Sequence, residues 1–427
     1  MKVSKAAILL ISTYFIVSCS PSTSSKDLEG DKKVVTEEKN LPNEIIIEAE
    51  KFSSSSDTNL TAEPNSDFVD LTNKGWLGFD VSFETAGRYK IEVIAKSKDG
   101  ASVWLEDYID NEDGRTYNVT GSLQVNSKEF SSSSVDGSPF NKGTHKMKLH
   151  YDGNDLQIDK IKLTLMIKHQ LTPETLTQNM EGKEWELVWS DEFEGETLDT
   201  TKWLYDVGNW GWGNNELQYY TDSRTENTRL EDGNLIIEAR KNDMGQEWTS
   251  ARLTTRGKTT FLYGKIEFKA IVPREKGNWA AGWTLGDSYV DELSWPYCGE
   301  IDIMESVGYE VNDKTGDGIS HATVHTPAYY FKINNQISST KDVKNIAGEF
   351  HTYAVEWTPT EIKGLVDDEV YYLYDKTANE KEWPFNKPQN IILNLAMGGG
   401  WGGAQGMDTS VTSQKLVIDY VRVYGKK

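Results

Sequence analysis

The chain has 427 residues, 26% of them charged, and a formal net charge of −22 at pH 7. Two folded domains are the natural expectation at that length, and the acidic balance argues against nucleic acid, anionic lipid and strongly anionic polysaccharides as partners. Aromatic residues reach 11%, with 14 Trp and 20 Tyr, an excess that suits stacking on the flat apolar faces of sugars.

Residues 1–18 read as an export signal: Lys2 and Lys5 precede the apolar run 6–17, which is too short to span a bilayer. Its end, Ile16-Val17-Ser18-Cys19, resembles a bacterial lipobox, with cleavage before Cys19 and a lipid on the Cys19 thiol. Cys298, the second of two cysteines, then has no disulfide partner. The chain is therefore expected to be exported and lipid-anchored to a bacterial membrane, at the cell envelope or surface. It touches the membrane through that anchor only. Residues 19–42 are rich in Ser, Lys, Glu and Asp and read as a flexible tether.

Residues 43–168 form a first unit. Strand candidates lie at 45–50, 77–83, 88–96, 103–105, 143–151 and 156–165, with turn residues between them. That spacing suggests a β-sandwich. Trp76 reads as core, and Asp107, Asp110, Glu112 and Asp113 as solvated loop acids. Residues 169–183 are polar, contain Pro173 and read as an interdomain linker. From 184 to 427 the pattern is again all-β, with candidates at 186–189, 234–239, 264–272, 300–305, 352–357, 362–366, 391–395 and 416–424. Hairpins are signalled at Thr358-Pro359-Thr360 and Asp367-Asp368. About a dozen strands here point to two large packed sheets.

The chemistry concentrates in residues 295–306, WPYCGEIDIMES. Side chains alternate along a strand, so Glu300 and Asp302 share a face and Glu305 points away. One extra residue at Ile303–Met304, a β-bulge, brings Glu305 round to join them. Three carboxyls that close cannot all ionise freely, so at least one holds its proton near neutral pH. One ionised and one protonated carboxyl is the pair that glycoside hydrolysis uses, and two glutamates on one strand are expected about 5–5.5 Å apart, the spacing of a retaining enzyme.

A second constellation is aromatic and Gly-rich. Trp210, Trp212, Asn214, Asn215, Glu216, Gln218 and Tyr219 lie among glycines 208, 211 and 213, which reads as a loop with exposed Trp rings. Trp279 and Trp283 flank Ala280-Ala281-Gly282, His325 follows an alternating stretch, and Trp401 sits in the Gly-rich run 398–403. Rings that stack on a pyranose beside amides that bond its hydroxyls make a sugar cleft.

On these motifs, residues 185–424 resemble glycoside hydrolase family 16, and within it the laminarinase-like β-1,3-glucanases. WSDEFEG, GWGNNELQYYT, SARLTTRGK, YGKIEFKAIVP, WPYCGEIDIMES, HTP, EWTP, NLAMGGGWGG and IDYVRVY occur in the family's order. The resemblance implies a β-jelly-roll, a concanavalin-like sandwich, with a cleft across its concave sheet. It makes Glu300 the nucleophile, Glu305 the acid/base, and Asp302 the residue that holds Glu300 and tunes its charge. Trp279, Trp283 and Trp295 match cleft aromatics; Asn215, Glu216, Arg252 and His325 match residues of the donor side. Ala280-Ala281-Gly282 stands where the family often has Pro-Ala-Phe, which opens the wall there.

The first unit resembles a family 6-type carbohydrate-binding module at Ile47-Glu48-Ala49-Glu50, at residues 75–97 and at Leu156-Gln157-Ile158-Asp159. Gln157 and Leu71 stand where that family has a ligand-binding Asn and a cleft aromatic. The family 16 resemblance further implies a structural calcium ion, held by the backbone carbonyls of Glu192 and Gly233 and the carboxylate of Asp419; oxygen-only ligation suits that ion. No cofactor is required for the chemistry.

The expected activity is retaining endo-hydrolysis of laminarin-type β-1,3-glucan by a monomer. The same scaffold acting on mixed-linkage glucan or agarose, and a non-catalytic glycan-binding surface lipoprotein, remain open. At the other end of the chain, palmitate labelling that disappears in Cys19→Ala is the expected outcome; labelling that persists in the variant refutes the lipobox.

Overall fold

Period-two alternation builds the first sandwich. In strand Gly87–Ser97, Gly87, Tyr89, Ile91, Val93, Ala95 and Ser97 are buried while Arg88, Lys90, Glu92, Ile94 and Lys96 are not. The computed structural model describes residues 43–60, 66–108 and 116–427; Cys19 with the whole of residues 1–42, and Asp110, Glu112 and Asp113, lie outside them. Among the described residues a five-stranded and a six-stranded sheet pack face to face around Phe79, Phe83, Tyr89, Phe140 and Leu149. Trp76 is half-buried rather than core, with the Lys148 ammonium 4.3 Å from its ring centre, and Asp107 is not a solvated loop acid but lies in strand Ala101–Tyr108, 1% exposed, with its Oδ2 2.8 Å from His145 Nδ1.

The second sandwich joins a nine-stranded sheet to a ten-stranded one. Helix is confined to 3-10 turns among the described residues. Every strand expected from the sequence is present, and both expected hairpins form: Glu361–Val366 pairs with His351–Trp357 on one side and Glu369–Asp375 on the other. Asp367 and Asp368 adopt φ of 48° and 63°, as a tight two-residue turn requires. The sheets enclose a core of Phe268, Tyr353, Trp357, Leu393 and Val421, each at most 1% exposed. The fold is all-β, as expected.

Four adjacent strands of the nine-stranded sheet carry the site: β1 (Asn278–Gly286), β2 (Glu300–Val307), β3 (Gly318–His325) and β4 (Gln389–Met397), in spatial order β4-β1-β2-β3. Their core-facing residues include Ala280, Ile301, Ala322 and Leu393. Gly282 belongs here for a steric reason: a Cβ on it would fall 2.2 Å from the Phe268 ring.

Residues 169–183 do not form a free linker. Glu174–Thr177 is a strand that pairs in parallel with Thr259–Leu262, at the edge of the nine-stranded sheet. Leu176 packs on the core, and Lys183 N–H donates to the Lys427 carbonyl at 3.0 Å. A polar stretch with unpaired backbone groups, running past an open sheet edge, is captured by that edge.

Residues Pro42–Lys427 cluster as one unit, and the seam between the two sandwiches is tight. Gly137 (φ 89°) of the first faces Gly208 (φ 136°) of the second; a Cβ on Gly137 would lie 2.2 Å from the Val207 carbonyl oxygen. Asn209 N–H donates to the Asp136 carbonyl at 3.1 Å, and Asp136 N–H returns a bond to Asn209 Oδ1 at 2.9 Å. A continuous apolar cluster runs from the first sandwich into Trp210, Trp212, Tyr289, Leu293 and Trp295 of the second.

Within the seam Asp206 is buried among three guanidiniums: Arg252 Nε at 3.1 Å, Arg256 at 2.9 Å and Arg88 of the first sandwich at 3.6 Å. Although burial opposes its charge, those cations hold its carboxyl well below the usual range. Removing that charge leaves buried cations unpaired, so Asp206→Asn is expected to lose about 3 kcal/mol of stability. The check is a lower urea midpoint at unchanged slope.

Candidate active site

Register fixes which way the carboxylates face. Along β1, Trp279, Ala281, Trp283 and Leu285 line a groove of about 670 Å3. Glu300 pairs with Leu285 and Asp302 with Trp283, but Met304 pairs with Gly282, so Ile303 is the extra residue. Glu305 then falls opposite Ala281, a groove-facing position. On the other side Glu300, Asp302 and Glu305 lie opposite His325, Thr323 and His321, which also line the groove. Ile303 and Met304 both turn into the core, at 1% and 0% exposure. The expected bulge is present, and it gathers all three acids on one face.

Each glutamate is held by an indole. Trp295 Nε1–H donates to Glu300 Oε2 at 2.9 Å, and Trp279 Nε1–H to Glu305 Oε1 at 3.0 Å. Burial, followed by repulsion from Glu305, pushes the Glu300 carboxyl up. Burial lifts Glu305 as well. Asp302 is raised well above the carboxylate range, by burial and then by Glu305 and Glu300. The three titrate as one coupled set. Of them, only Glu300 has a cation, Arg252, among the groups that favour its ionised form. Asp302 Oδ2 lies 3.5 Å from His325 Nε2 and has no hydrogen-bond partner. His325 is 3.7 Å from Glu300, and burial pushes it down to about 4, so it is a neutral imidazole there.

The remaining expected residues come together, with two changes of role. Arg252 is clamped between the rings of Trp212 and Trp283, 4.8 Å from each centroid, and Trp283 Nε1–H donates to Asn394 Oδ1 at 2.8 Å. Trp401 meets Trp279 edge-on at 5.3 Å. Asn215 is exposed at the rim. Glu216 accepts from Gln218 Nε2 (2.7 Å) and Asn214 Nδ2 (3.2 Å), and burial pushes it up to about 7. Trp210 and Trp212, read as exposed, are only 1% and 6% exposed, because the first sandwich covers that loop. Trp210 therefore backs the groove wall instead of offering an open stacking face. Tyr219 is turned away altogether and donates to Asp136 of the first sandwich at 3.2 Å.

Several groove residues escaped the sequence reading, His321, Asn394 and Lys332 among them. His321 contacts Trp401 edge-on at 4.8 Å and Glu310 at 2.7 Å; its alternation with Thr323 and His325 was the available signal. Asn394, a lone amide in the apolar run IILNLAM, was another. Lys332 had none.

The calcium residues do not fit the ion. Glu192, Gly233 and Asp419 share a hollow on the ten-stranded sheet, with Lys269 and Arg422 beside them. The Lys269 ammonium is 2.7 Å from Asp419 Oδ2, and Arg422 grips the Glu192 carboxylate at 3.0 and 2.7 Å. An ammonium already holds the one carboxylate that was to bind the metal, and nothing below depends on calcium.

The indole bonds carry a pH prediction. The Trp279 N–H is the one group that pulls Glu305 down against burial. Trp279→Phe is therefore expected to raise Glu305 further. A proton donor with a higher pKa stays protonated to higher pH, so the descending limb of the kcat/KM profile should move to higher pH. A limb that stays in place or moves down counts against Glu305 as the proton donor.

The sequence profile of glycosyl hydrolases family 16 matches residues 210–422. The chain is 49% identical over 249 residues to a β-glucanase of Rhodothermus marinus, covering 56% of this chain and 85% of that protein. It is 37% identical over 256 residues to a glucan endo-1,3-β-glucosidase of Cryptopygus antarcticus, covering 56% and 91%. The solved laminarinase structure from Rhodothermus marinus aligns with a TM-score of 0.53 at 47% identity, over 57% of this chain and 98% of that one. With the bulged carboxylate strand and its indole partners already in place, these matches establish that the chain belongs to glycosyl hydrolases family 16 and is a glycoside hydrolase of jelly-roll fold.

Proposed function

We propose that the protein is a retaining endo-β-1,3-glucanase acting on laminarin-type glucans. The observation that carries the reading is the extra Ile303, which turns Glu305 to the groove face that Glu300 already occupies. Glu300, the one acid of the three with a cation, Arg252, favouring its charge, attacks the anomeric carbon as the carboxylate. Glu305, raised by its dry surroundings, gives its proton to the departing glycosidic oxygen. In the second step Glu305 takes a proton from water, which attacks the anomeric carbon and releases the sugar from Glu300. A protonated Asp302 and a neutral His325 add no charge beside the nucleophile, so the glycosyl-enzyme forms without a second anion against it.

The substrate class is supported by the relatives' activities and by the groove itself. Trp279, Trp283 and Trp401 offer ring surface for pyranoses, and Asn215 and Asn394 offer amides for hydroxyls. An open groove rather than a closed pocket suits attack within a chain. Action outside the cytoplasm, on a lipid anchor at Cys19, rests on residues 1–19 alone. For the first sandwich, Gln157 is already bonded to Asp70 at 2.5 Å and Leu71 is buried at 3% exposure, so we assign it no sugar at the cleft its resemblance suggested.

Sugar release from laminarin, mixed-linkage β-glucan and agarose tests the reading. Laminarin is expected to be cut fastest, with the β-anomer as the first-formed product by NMR. Glu300→Gln and Glu305→Gln should each lower kcat by at least about 10³-fold while leaving the fold intact. Inversion of configuration, or hydrolysis retained in either variant, overturns the mechanism. Preferential cutting of either other polymer overturns the substrate.

A further inference from the structure

We propose that Tyr117, in the first sandwich, is a positioning residue for the nucleophile of the second. Its hydroxyl anchors the carbonyl of Trp295, whose indole N–H holds the Glu300 carboxylate at Oε2. The inference rests on the assignment of Glu300 above and extends that site across the seam.

The chain of contacts is short. Tyr117 O–H donates to the Trp295 carbonyl at 3.1 Å, in a buried setting, and Trp295 Nε1–H donates to Glu300 Oε2 at 2.9 Å. The turn between Trp295 and Glu300 uses the carbonyls on either side for itself: Cys298 N–H takes that of Ser294 at 3.1 Å, and Gly299 N–H takes that of Pro296 at 3.0 Å. The Trp295 carbonyl is turned outward and meets the other sandwich. A residue five positions before the nucleophile is thereby tied to a body outside the catalytic sheets.

Both ends of the tie are stiff. Tyr117 is 2% exposed and lies on the two-residue strand Tyr117–Asn118, opposite Asp107. The next turn is fixed by the Asn118 carboxamide oxygen, which accepts from the N–H groups of Thr120 and Gly121 at 3.0 and 2.8 Å. Lys332 sets its ammonium 3.7 Å from the Tyr117 ring centre and 5.7 Å from that of Trp295, bracing both. Trp295 is 6% exposed, edge-on to Tyr330 at 5.5 Å. Its N–H is among the groups that favour an ionised Glu300, so an indole free to drift costs the nucleophile both its aim and part of its charge. Small errors in placing an attacking group lower the rate far more than they lower binding.

Tyr117→Phe in the full-length protein keeps the ring and its contact with Lys332 and removes only the hydroxyl. One net hydrogen bond corresponds to a fall in kcat of about three- to tenfold, with KM changed by less than about twofold. The ascending limb of the kcat/KM profile should move to higher pH, because a Glu300 less favoured as an anion ionises later. Tyr219→Phe removes a hydroxyl bond to Asp136 across the same seam and should leave that limb in place. An unmoved limb and wild-type kcat in Tyr117→Phe overturn the proposal; so does an equal shift in Tyr219→Phe. A readout without substrate separates this inference from the assigned function. In protein labelled with 13C at the glutamate carboxyls, the resonance lost in Glu300→Gln identifies Glu300. Its midpoint should rise in Tyr117→Phe even if laminarin is not the substrate, and an unchanged midpoint overturns the role of Tyr117.

Discussion

A strand with strict alternation cannot place acids two and five residues apart on one face, and one inserted residue removes that obstacle. Asp302 keeps its partner Trp283 while Met304 moves on to Gly282, so Ile303 and Met304 both point inward and Glu305 turns outward. The inward pair is apolar, and the core secures it. Reversing the bulge would require burying a carboxylate among Phe268 and Leu393, at several kcal/mol. The hydrophobic core therefore enforces the geometry of the three acids: sequence pattern sets register, and register sets facing.

The environment of the gathered acids follows from how the groove is lined. Its walls are indole rings, so the carboxyls lose water without gaining many cations. All three are lifted, and the neutral His325 is pushed the opposite way by the same cause. Among the three acids, Glu300 alone has a cation, Arg252, opposing its rise. That guanidinium is itself fixed by two rings and by Asp206, whose remaining partners include Arg88 of the first sandwich. Electrostatic control of the groove thus draws on a buried ion cluster that neither sandwich completes alone.

What was legible in the sequence was local. Strand periods, both hairpins and the carboxylate run could be read because each depends on a few neighbouring residues. The bulge could be anticipated because the spacing of Glu300 and Glu305 makes no catalytic sense without it. What was not legible was non-local. Nothing around Trp210 and Trp212 announces that another sandwich lies over them, so rings that read as open platforms are buried. Residues 174–177 look like a tether until the edge strand beside them is known. Lys269, which holds Asp419, is remote from it in sequence and belongs to an ordinary alternating strand.

The glycines at the seam bear on how such a protein can be assembled. Gly137 and Gly208 bring main chain against main chain, with no side chain between to absorb a change of shape. A joint of that kind is unlike a plug and socket, in which one module can be exchanged for another of similar outline. Any replacement for the first sandwich must reproduce the same bare stretch of backbone at the same height, so an exchange of that half is expected to tolerate almost no change of outline at the joint.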